Sequence, residues 1–497
     1  MAIIDLGSNT TRMLIIEVTK NGAYHLVEED KGVVRLSEGE GAEGDIKPSA
    51  LARAISAIKL FKGICDYHRV SRTIAVATAA VREARNQKEF LRAVYDETGI
   101  QFRVLSRDEE PYFGYLGVIN TMPLTDGLIM DLGGGSMEVT AIEGRAIARS
   151  TSIPYGALNL TEGFLDKDKT PEPRIKELEA FLRQQFKNIG WLAQYEGSPL
   201  IGIGGTLRTI AKVNQRLSGY PFDELHNYAM LPGDITNVYN ILKDSDLKER
   251  TDMPGLSRDR ADIIVAGATA VNTFMRLIKV PEVRISSSGL RDGVFFHEYL
   301  KEPVVPDITA FGIANTSRLY GLDEAHARRV CSLATGLFSG LKPINGFTGE
   351  HERILKAAAL LHELGYYYDY GKRFNNTFYN IIDNPIFGFT HLENYKAALV
   401  AAHYGAGGIK GRSMFLNVPL DKEELKYAKR LSVILGLADA FDRSRRGRVS
   451  SVGCRISKNK VELVPVFHKD ISIEATSVEE LSGYFKKAFD RELTIDI

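Results

Sequence analysis

Leu128-Ile129-Met130-Asp131-Leu132-Gly133-Gly134-Gly135-Ser136-Met137-Glu138 is the stretch on which the reading of this chain turns. A short apolar run delivers an aspartate to a three-glycine turn, and a second short run, Val139 to Ile142, leaves it. Glycine lets successive backbone N–H groups converge on an anion, and its missing side chain lets a phosphate approach the main chain. Asp131 and Glu138 flank the turn with hard oxygen ligands, the type Mg²⁺ takes when it shares its shell with phosphate. Alone, such a segment reads as an ordinary tight hairpin.

A second copy changes that reading. Ile3-Ile4-Asp5-Leu6-Gly7-Ser8-Asn9-Thr10 repeats the pattern of apolar strand, Asp, Leu, Gly and small polar turn, followed by strand candidates at Met13 to Val18 and Tyr24 to Glu28. Two such turns a domain's length apart predict a duplicated unit, each half presenting one phosphate loop to a shared cleft. The loops are Gly7, Ser8 and Asn9 in the first half and Gly133, Gly134, Gly135 and Ser136 in the second. Asp5 occupies the strand-end position that Asp131 holds in the other copy. A third glycine turn, Gly204-Gly205-Thr206, follows the run Leu200 to Ile203 and opens a helix, whose N-terminus suits an anion. Arg284 to Gly293 repeats the theme of strand, small turn and helix.

Between these turns the periodicity predicts a helix over Pro48 to Tyr67, a strand over Thr73 to Thr78 and another over Phe102 to Leu105. Arg82 lies just past the first of these strands, where open α/β sheets place ligand contacts. Pro111 is favoured in a first helical turn, so Glu109 and Glu110 are expected at a helix entrance. A further helix is expected near Arg174 to Leu192.

At 497 residues the chain exceeds a single core, and roughly 100 to 200 residues per domain predicts three or four. With 63 basic and 63 acidic residues the formal charge is zero, so no global field draws in nucleic acid or a membrane surface. A polyanion has to be held by a local patch. Cys65, Cys331 and Cys454 lack metal-ligand spacing and are expected as reduced thiols. No apolar run approaches the roughly 20 residues that span a bilayer, and the opening residues lack the regions of a signal peptide. A cytoplasmic location is expected.

Past Lys301-Glu302-Pro303 the texture becomes mainly helical to about Arg443. His326, His362, His391 and His403 lie in this part, together with Asp439, and mark it as the place for any second metal site. The tail is expected to form strands at Val461 to Val466 and Ile471 to Ala475, then a helix at Val478 to Phe489. Arg443 to Arg448 is the densest basic run.

The ordered set Asp5 to Asn9, Arg82, Glu109-Glu110, Asp131 to Glu138, Gly202 to Thr206 and Gly289 to Gly293 resembles the exopolyphosphatase and guanosine pentaphosphate phosphatase family over nearly the whole chain. The resemblance implies an α/β fold of two ribonuclease-H-like domains of the actin and sugar-kinase superfamily, at 1–120 and 121–300. It also implies an HD-like helical domain at 301–448, a small α+β domain at 449–497, and a homodimer. By similarity Glu110 is the catalytic glutamate, Arg82 a phosphate-contacting arginine, and Asp131 and Glu138 the Mg²⁺ region. Pro111 stands where relatives carry alanine. The implied activity is Mg²⁺-dependent hydrolysis of the terminal anhydride of inorganic polyphosphate, with guanosine pentaphosphate as the alternative substrate and a nucleotide-binding regulator as a remoter reading. His326, His362 and Asp439 resemble an HD metal set with Glu363 in place of its aspartate, which favours a remnant scaffold that binds the substrate chain. The basic run would then guide a long polyanion.

Overall fold

The computed structural model describes residues 1–38, 44–166, 168–367, 370–404, 418 and 420–497. Two compact units divide the chain, the first covering 1–18 and 24–308, the second 19–23 and 309–497.

The first unit begins with strands β1 (Ala2–Leu6), β2 (Thr10–Val18) and β3 (Tyr24–Val33), helix α1 (Pro48–Tyr67), strand β4 (Thr73–Ala77), helices α2 (Ala79–Glu83) and α3 (Gln87–Thr98), strand β5 (Phe102–Val104) and helix α4 (Glu109–Ile119). It continues with β6 (Gly127–Leu132), β7 (Met137–Glu143), β8 (Ala146–Ile153), α5 (Ala157–Phe164), α6 (Glu172–Lys187), β9 (Leu200–Ile203), α7 (Gly204–Ser218) and β10 (Ala229–Met230). Helices α8 (Pro232–Asp244), α9 (Leu247–Asp252) and α10 (Ile264–Ile278), strand β11 (Val283–Ile285) and helix α11 (Leu290–Tyr299) complete it. The helix expected near Arg174 to Leu192 ends at Lys187, and a separate tight turn of helix follows at Leu192–Tyr195.

Two sheets carry this unit, ordered β3-β2-β1-β4-β5 and β8-β7-β6-β9-β11-β10. The pairings match strand for strand. β1 runs antiparallel to β2 and parallel to β4, as β6 does to β7 and β9. The duplication expected from the two Asp-Leu-Gly turns is therefore present in the topology, with β10 as an added edge. Each sheet has its own core. Ile4, Leu6, Met13, Ile58 and Phe61 fill one, while Leu128, Met130, Val139, Leu200 and α10, which is buried nearly all round, fill the other.

The duplication extends to the helices that follow the last common strands. α4 follows β5 and α11 follows β11, and the two cross in direct backbone contact. A Cβ on Gly293 would fall 1.8 Å from the Phe113 carbonyl oxygen, and one on Gly117 would fall 2.3 Å from that of Gly289. No side chain fits at this crossing.

The second unit holds α12 (Ile308–Leu319), α13 (Glu324–Leu341), α14 (Gly349–Leu361), α15 (Arg373–Asp383), α16 (His391–His403) and α17 (Lys422–Ala440). These precede β12 (Val449–Ile456), β13 (Lys460–Phe467), α18 (Ser472–Glu479), α19 (Ser482–Phe489) and β14 (Glu492–Ile495). The strands form one sheet in the order β12-β13-β14. The tail departs from expectation. Ile471 to Ala475 leads into helix α18, the helix expected at Val478 to Phe489 is broken in two, and β12 and β14 were not foreseen. The alternation of Ile471, Ile473 and Ala475 imitates a strand, but Ile471, Ala475 and Val478 are buried at helical spacing while Ile473 is 52% exposed.

Candidate active site

Each sheet delivers an aspartate to the same place. Asp5 and Asp131 stand one residue before the ends of β1 and β6, where the parallel neighbours also end, the usual ligand position in open α/β sheets. The residue opposite each is fixed by the hairpin register. Asp131 faces Glu138 across β6 and β7, and Asp5 faces Arg12 across β1 and β2. Directly opposed residues of an antiparallel pair share a face, so one lobe supplies two acids and the other an acid and a base. The same inversion marks the crossing helices, where Glu110 and Arg291 are the second residues of α4 and α11.

Both glycine turns line the cleft between the lobes, with Asp5, Glu110, Asp131, Glu138, Gly204 and Gly205. The turns also abut one another. A Cβ on Gly134 would lie 2.9 Å from the Asn9 Cβ, and one on Gly135 would lie 2.5 Å from the Ser8 Oγ. These glycines therefore allow the loops of the two halves to meet, besides opening the main chain to an anion. Gly204, at φ +86°, lies so close to Asp131 that a Cβ would come within 2.5 Å of its carboxylate oxygen. Thr206 departs from the expected set. It is 1% exposed and packs beneath Gly267, so its hydroxyl does not line the cleft.

Arg82 donates to the Glu110 carboxylate at 2.8 Å and to the Leu105 carbonyl at 3.1 Å. It opens not into the main cleft but into an adjoining hollow shared with Arg107, Gly135 and Ser136. In this structure its guanidinium orients the glutamate. The Ser152 hydroxyl donates to Glu138 at 2.9 Å.

Four guanidinium groups, from Arg12, Arg208, Arg260 and Arg291, line the cleft as well. They were not singled out in the sequence. Arg12 had a signal, since it follows Asp5 at the interval by which Glu138 follows Asp131. Arg291 lies inside the Gly289 to Gly293 motif, and Arg208 lies one helical turn from Gly204, whose carbonyl it meets at 3.2 Å. Arg260 had none; it reaches the cleft from a distant turn and lies across Gly205.

Burial displaces the four acids, and Arg12, Arg208 and Arg260, toward their neutral forms. Asp5 and Asp131 are each pushed up to about 6, by burial first. Burial, with Asp131 and Asp5 adding to it, raises Glu110 to about 7 against the downward pull of Arg82. Burial and the charges of Glu110 and Asp131 raise Glu138. On the basic side, burial and the neighbouring arginines push Arg208 down to about 9, and burial with Arg12 lowers Arg260 to about 10. A cation favours the ionised acids, and a polyanion favours the charged arginines.

The donors are of the oxygen type that a hard cation takes. Carboxylates from both lobes line the one cleft, no three of them within 4.8 Å of one another among the described residues, and a buried Asp5 carboxylate oxygen has no hydrogen-bond partner among those residues. The amide oxygen and nitrogen of Asn9 are also buried without one. Buried polar atoms are normally paired, so these atoms mark where a polar ligand is received.

A duplicated α/β frame enclosing such a bipolar cleft suits a ligand that joins a hard cation to phosphate oxygens. The sequence profile of the Ppx/GppA phosphatase family matches residues 14–302, and that of domain III of the same family matches 308–478, so the chain belongs to the Ppx/GppA phosphatase family. It is 26% identical over 302 residues to exopolyphosphatase 1 of Mycobacterium bovis, covering 60% of this chain and 88% of that protein. An exopolyphosphatase structure from Cytophaga hutchinsonii aligns with TM-score 0.56 at 25% identity, over 60% of this chain and 97% of its own. The Aquifex aeolicus member of the Ppx/GppA family aligns with TM-score 0.51 at 28% identity, over 60% and 97%. Among the described residues, no helix is long and apolar enough to cross a membrane.

Proposed function

We propose that this protein hydrolyses the terminal phosphoanhydride of inorganic polyphosphate, releasing orthophosphate with Mg²⁺ and with Glu110 as general base. The observation that carries the reading is the cleft's polarity, with acids from both lobes and four guanidinium groups lining one cavity walled by glycine-rich loops, the acids raised and Arg208 and Arg260 lowered by desolvation. A metal-bound phosphate chain answers both displacements at once. The exopolyphosphatase names of the Mycobacterium and Cytophaga relatives favour polyphosphate over guanosine pentaphosphate, which would present the same terminal anhydride.

Phosphoryl transfer asks mainly for positioning and charge stabilisation. Asp131, Glu138 and Asp5 would hold Mg²⁺, which when bound offsets the phosphoryl negative charge. Main-chain N–H groups of Gly7 to Asn9 and of Gly133 to Ser136 receive the terminal phosphate, with the α7 N-terminus at Gly204 and Gly205 beside them. Arg12, Arg208, Arg260 and Arg291 hold the oxygens of the following phosphates. Glu110, oriented by Arg82 and raised toward neutral pH, takes the proton of the attacking water. Arg82 positions Glu110, and its contact with phosphate would come from the adjoining hollow that it lines with Gly135 and Ser136.

On the same family reading the first unit comprises two ribonuclease-H-like domains of the actin and sugar-kinase type, at 1–120 and 121–300. The second comprises an HD-like domain at 301–448 and a small domain at 449–497, and the protein works as a cytoplasmic homodimer. Glu110→Gln keeps the shape of the side chain and removes the base. It is expected to lower orthophosphate release from polyphosphate by about 10² to 10⁴-fold with an unchanged circular dichroism spectrum. Near-normal turnover would remove Glu110 from the mechanism.

A further inference from the structure

His226 lies in the segment that leads from α7 into β10. The Asn227 N–H donates to the Ile285 carbonyl at 2.7 Å and the Ile285 N–H to the Tyr228 carbonyl at 2.9 Å, so this segment is paired to the end of β11. The pairing sets the imidazole beside the turn Ser286-Ser287-Ser288, which joins β11 to α11 and lines the cleft.

Both ring nitrogens engage the main chain. The Ser287 N–H donates to Nδ1 at 3.2 Å, and Nε2 lies 3.3 Å from the carbonyl of Thr121, just past the C-terminus of α4. An N–H only donates and a carbonyl only accepts, so Nδ1 is bare, Nε2 carries the proton and the ring is neutral. Burial favours that form and lowers the ring's pKa, against the pull of the Thr121 carbonyl, Glu224 and Asp292. The Glu224 carboxylate braces the pair, accepting from the His226 N–H at 2.6 Å and from the Ser287 hydroxyl at 3.4 Å.

Ser287 passes this restraint into the cleft. Its carbonyl accepts from the Arg208 guanidinium at 3.5 Å, while Arg208 Nε donates to the Gly204 carbonyl at 3.2 Å. Arg208 is thus aimed by two carbonyls, one at the start of its own helix and one in the turn that His226 holds. Without an acceptor at the Nδ1 position, the Ser287 N–H loses this bond and the turn is free to shift.

We infer that His226 is a positioning residue for anion binding, which holds the Ser286 to Ser288 turn and, through the Ser287 carbonyl, aims Arg208 at the phosphates that follow the terminal one. The identity of that ligand rests on the proposed function. His226 itself touches no substrate.

Two substitutions, each keeping half of the ring's bonds, separate this role from a packing role. His226→Asn puts an amide oxygen at the Nδ1 position and keeps the acceptor for Ser287; His226→Gln reaches the Nε2 position and keeps only the bond to Thr121. Tripolyphosphate binding is measured by calorimetry with Mg²⁺, in the full chain carrying Glu110→Gln to suppress turnover. His226→Gln is expected to raise Kd about 3- to 10-fold, and His226→Asn to leave it within about twofold. Equal weakening by the two, or none by His226→Gln, would overturn the inference alone. No binding with His226 intact would overturn the polyphosphate reading and, with it, the ligand named here. Two-bond ¹H–¹⁵N spectra of the unaltered protein need no variant, so misfolding does not obscure the result. A bare Nδ1 and a protonated Nε2 are expected at about pH 7; the opposite tautomer or a charged ring would overturn the inference whether or not any phosphate binds.

Discussion

Asp131 shows how function and stability oppose each other at a single residue. Its carboxyl is raised from 3.8 to about 6, by burial first and then by the charge of Asp5. The folded state therefore binds this proton more tightly than the unfolded chain does. The favourable linkage is fully present below about 3.8 and is lost as pH rises through about 6. Above that, the ionised carboxylate weakens the metal-free protein by at most about 3 kcal/mol. In EDTA at pH 8, Asp131→Asn is expected to melt higher than the unaltered protein, with the difference closing toward pH 5. Mg²⁺ should stabilise the unaltered protein and leave the variant unmoved. A variant no more stable in EDTA at pH 8 would contradict the assignment. The residue scale is also where the sequence was most legible. Asp5 and Asp131 stand out because each follows an apolar run and precedes a Leu-Gly turn. The cleft arginines do not, because no local pattern distinguishes a buried guanidinium from a solvated one. Arg260, which meets Gly205 only in the folded chain, is the clearest case.

Among the elements, α4 and α11 carry Glu110 and Arg291 into the cleft and cross where neither helix has a side chain. Gly293→Ala would drive a Cβ against the Phe113 carbonyl, a backbone atom that cannot rotate away. It is expected to destabilise the protein by about 3 kcal/mol or more and to disturb Glu110 through the displaced helix. Gly63→Ala in α1 meets nothing within 4 Å and should stabilise by about 0.5 to 1 kcal/mol. Equal melting temperatures for the two variants would refute this account of the crossing. Helical and strand periodicity revealed most elements of the first unit, α1 among them with both of its ends. It failed at Ile471 to Ala475, where five residues satisfy both periods and only burial decides between them. It also could not show that α4 and α11 touch, a contact between segments far apart in sequence.

At the scale of the molecule, zero net charge leaves recognition to local patches such as the cleft, whose acids and arginines, on the proposed function, answer different parts of one ligand. Mg²⁺ and a short polyphosphate should therefore bind cooperatively. With Glu110→Gln protein, which turns over slowly, Mg²⁺ and tripolyphosphate together are expected to raise the melting temperature by more than the sum of their separate effects. A ligand at 100 times its Kd contributes about 2.7 kcal/mol. Strictly additive shifts would mean that the acids and arginines serve separate ligands. The duplication behind this arrangement was readable from two Asp-Leu-Gly turns. The inversion of charge between the halves emerged only from register, which pairs Asp5 with Arg12 and Asp131 with Glu138. The most direct test is orthophosphate release by the purified protein from long-chain polyphosphate, guanosine pentaphosphate and ATP in parallel, each with Mg²⁺ or EDTA. Release from polyphosphate fastest and only with Mg²⁺ is the predicted result; release from none of the three, or equal release in EDTA, would contradict it.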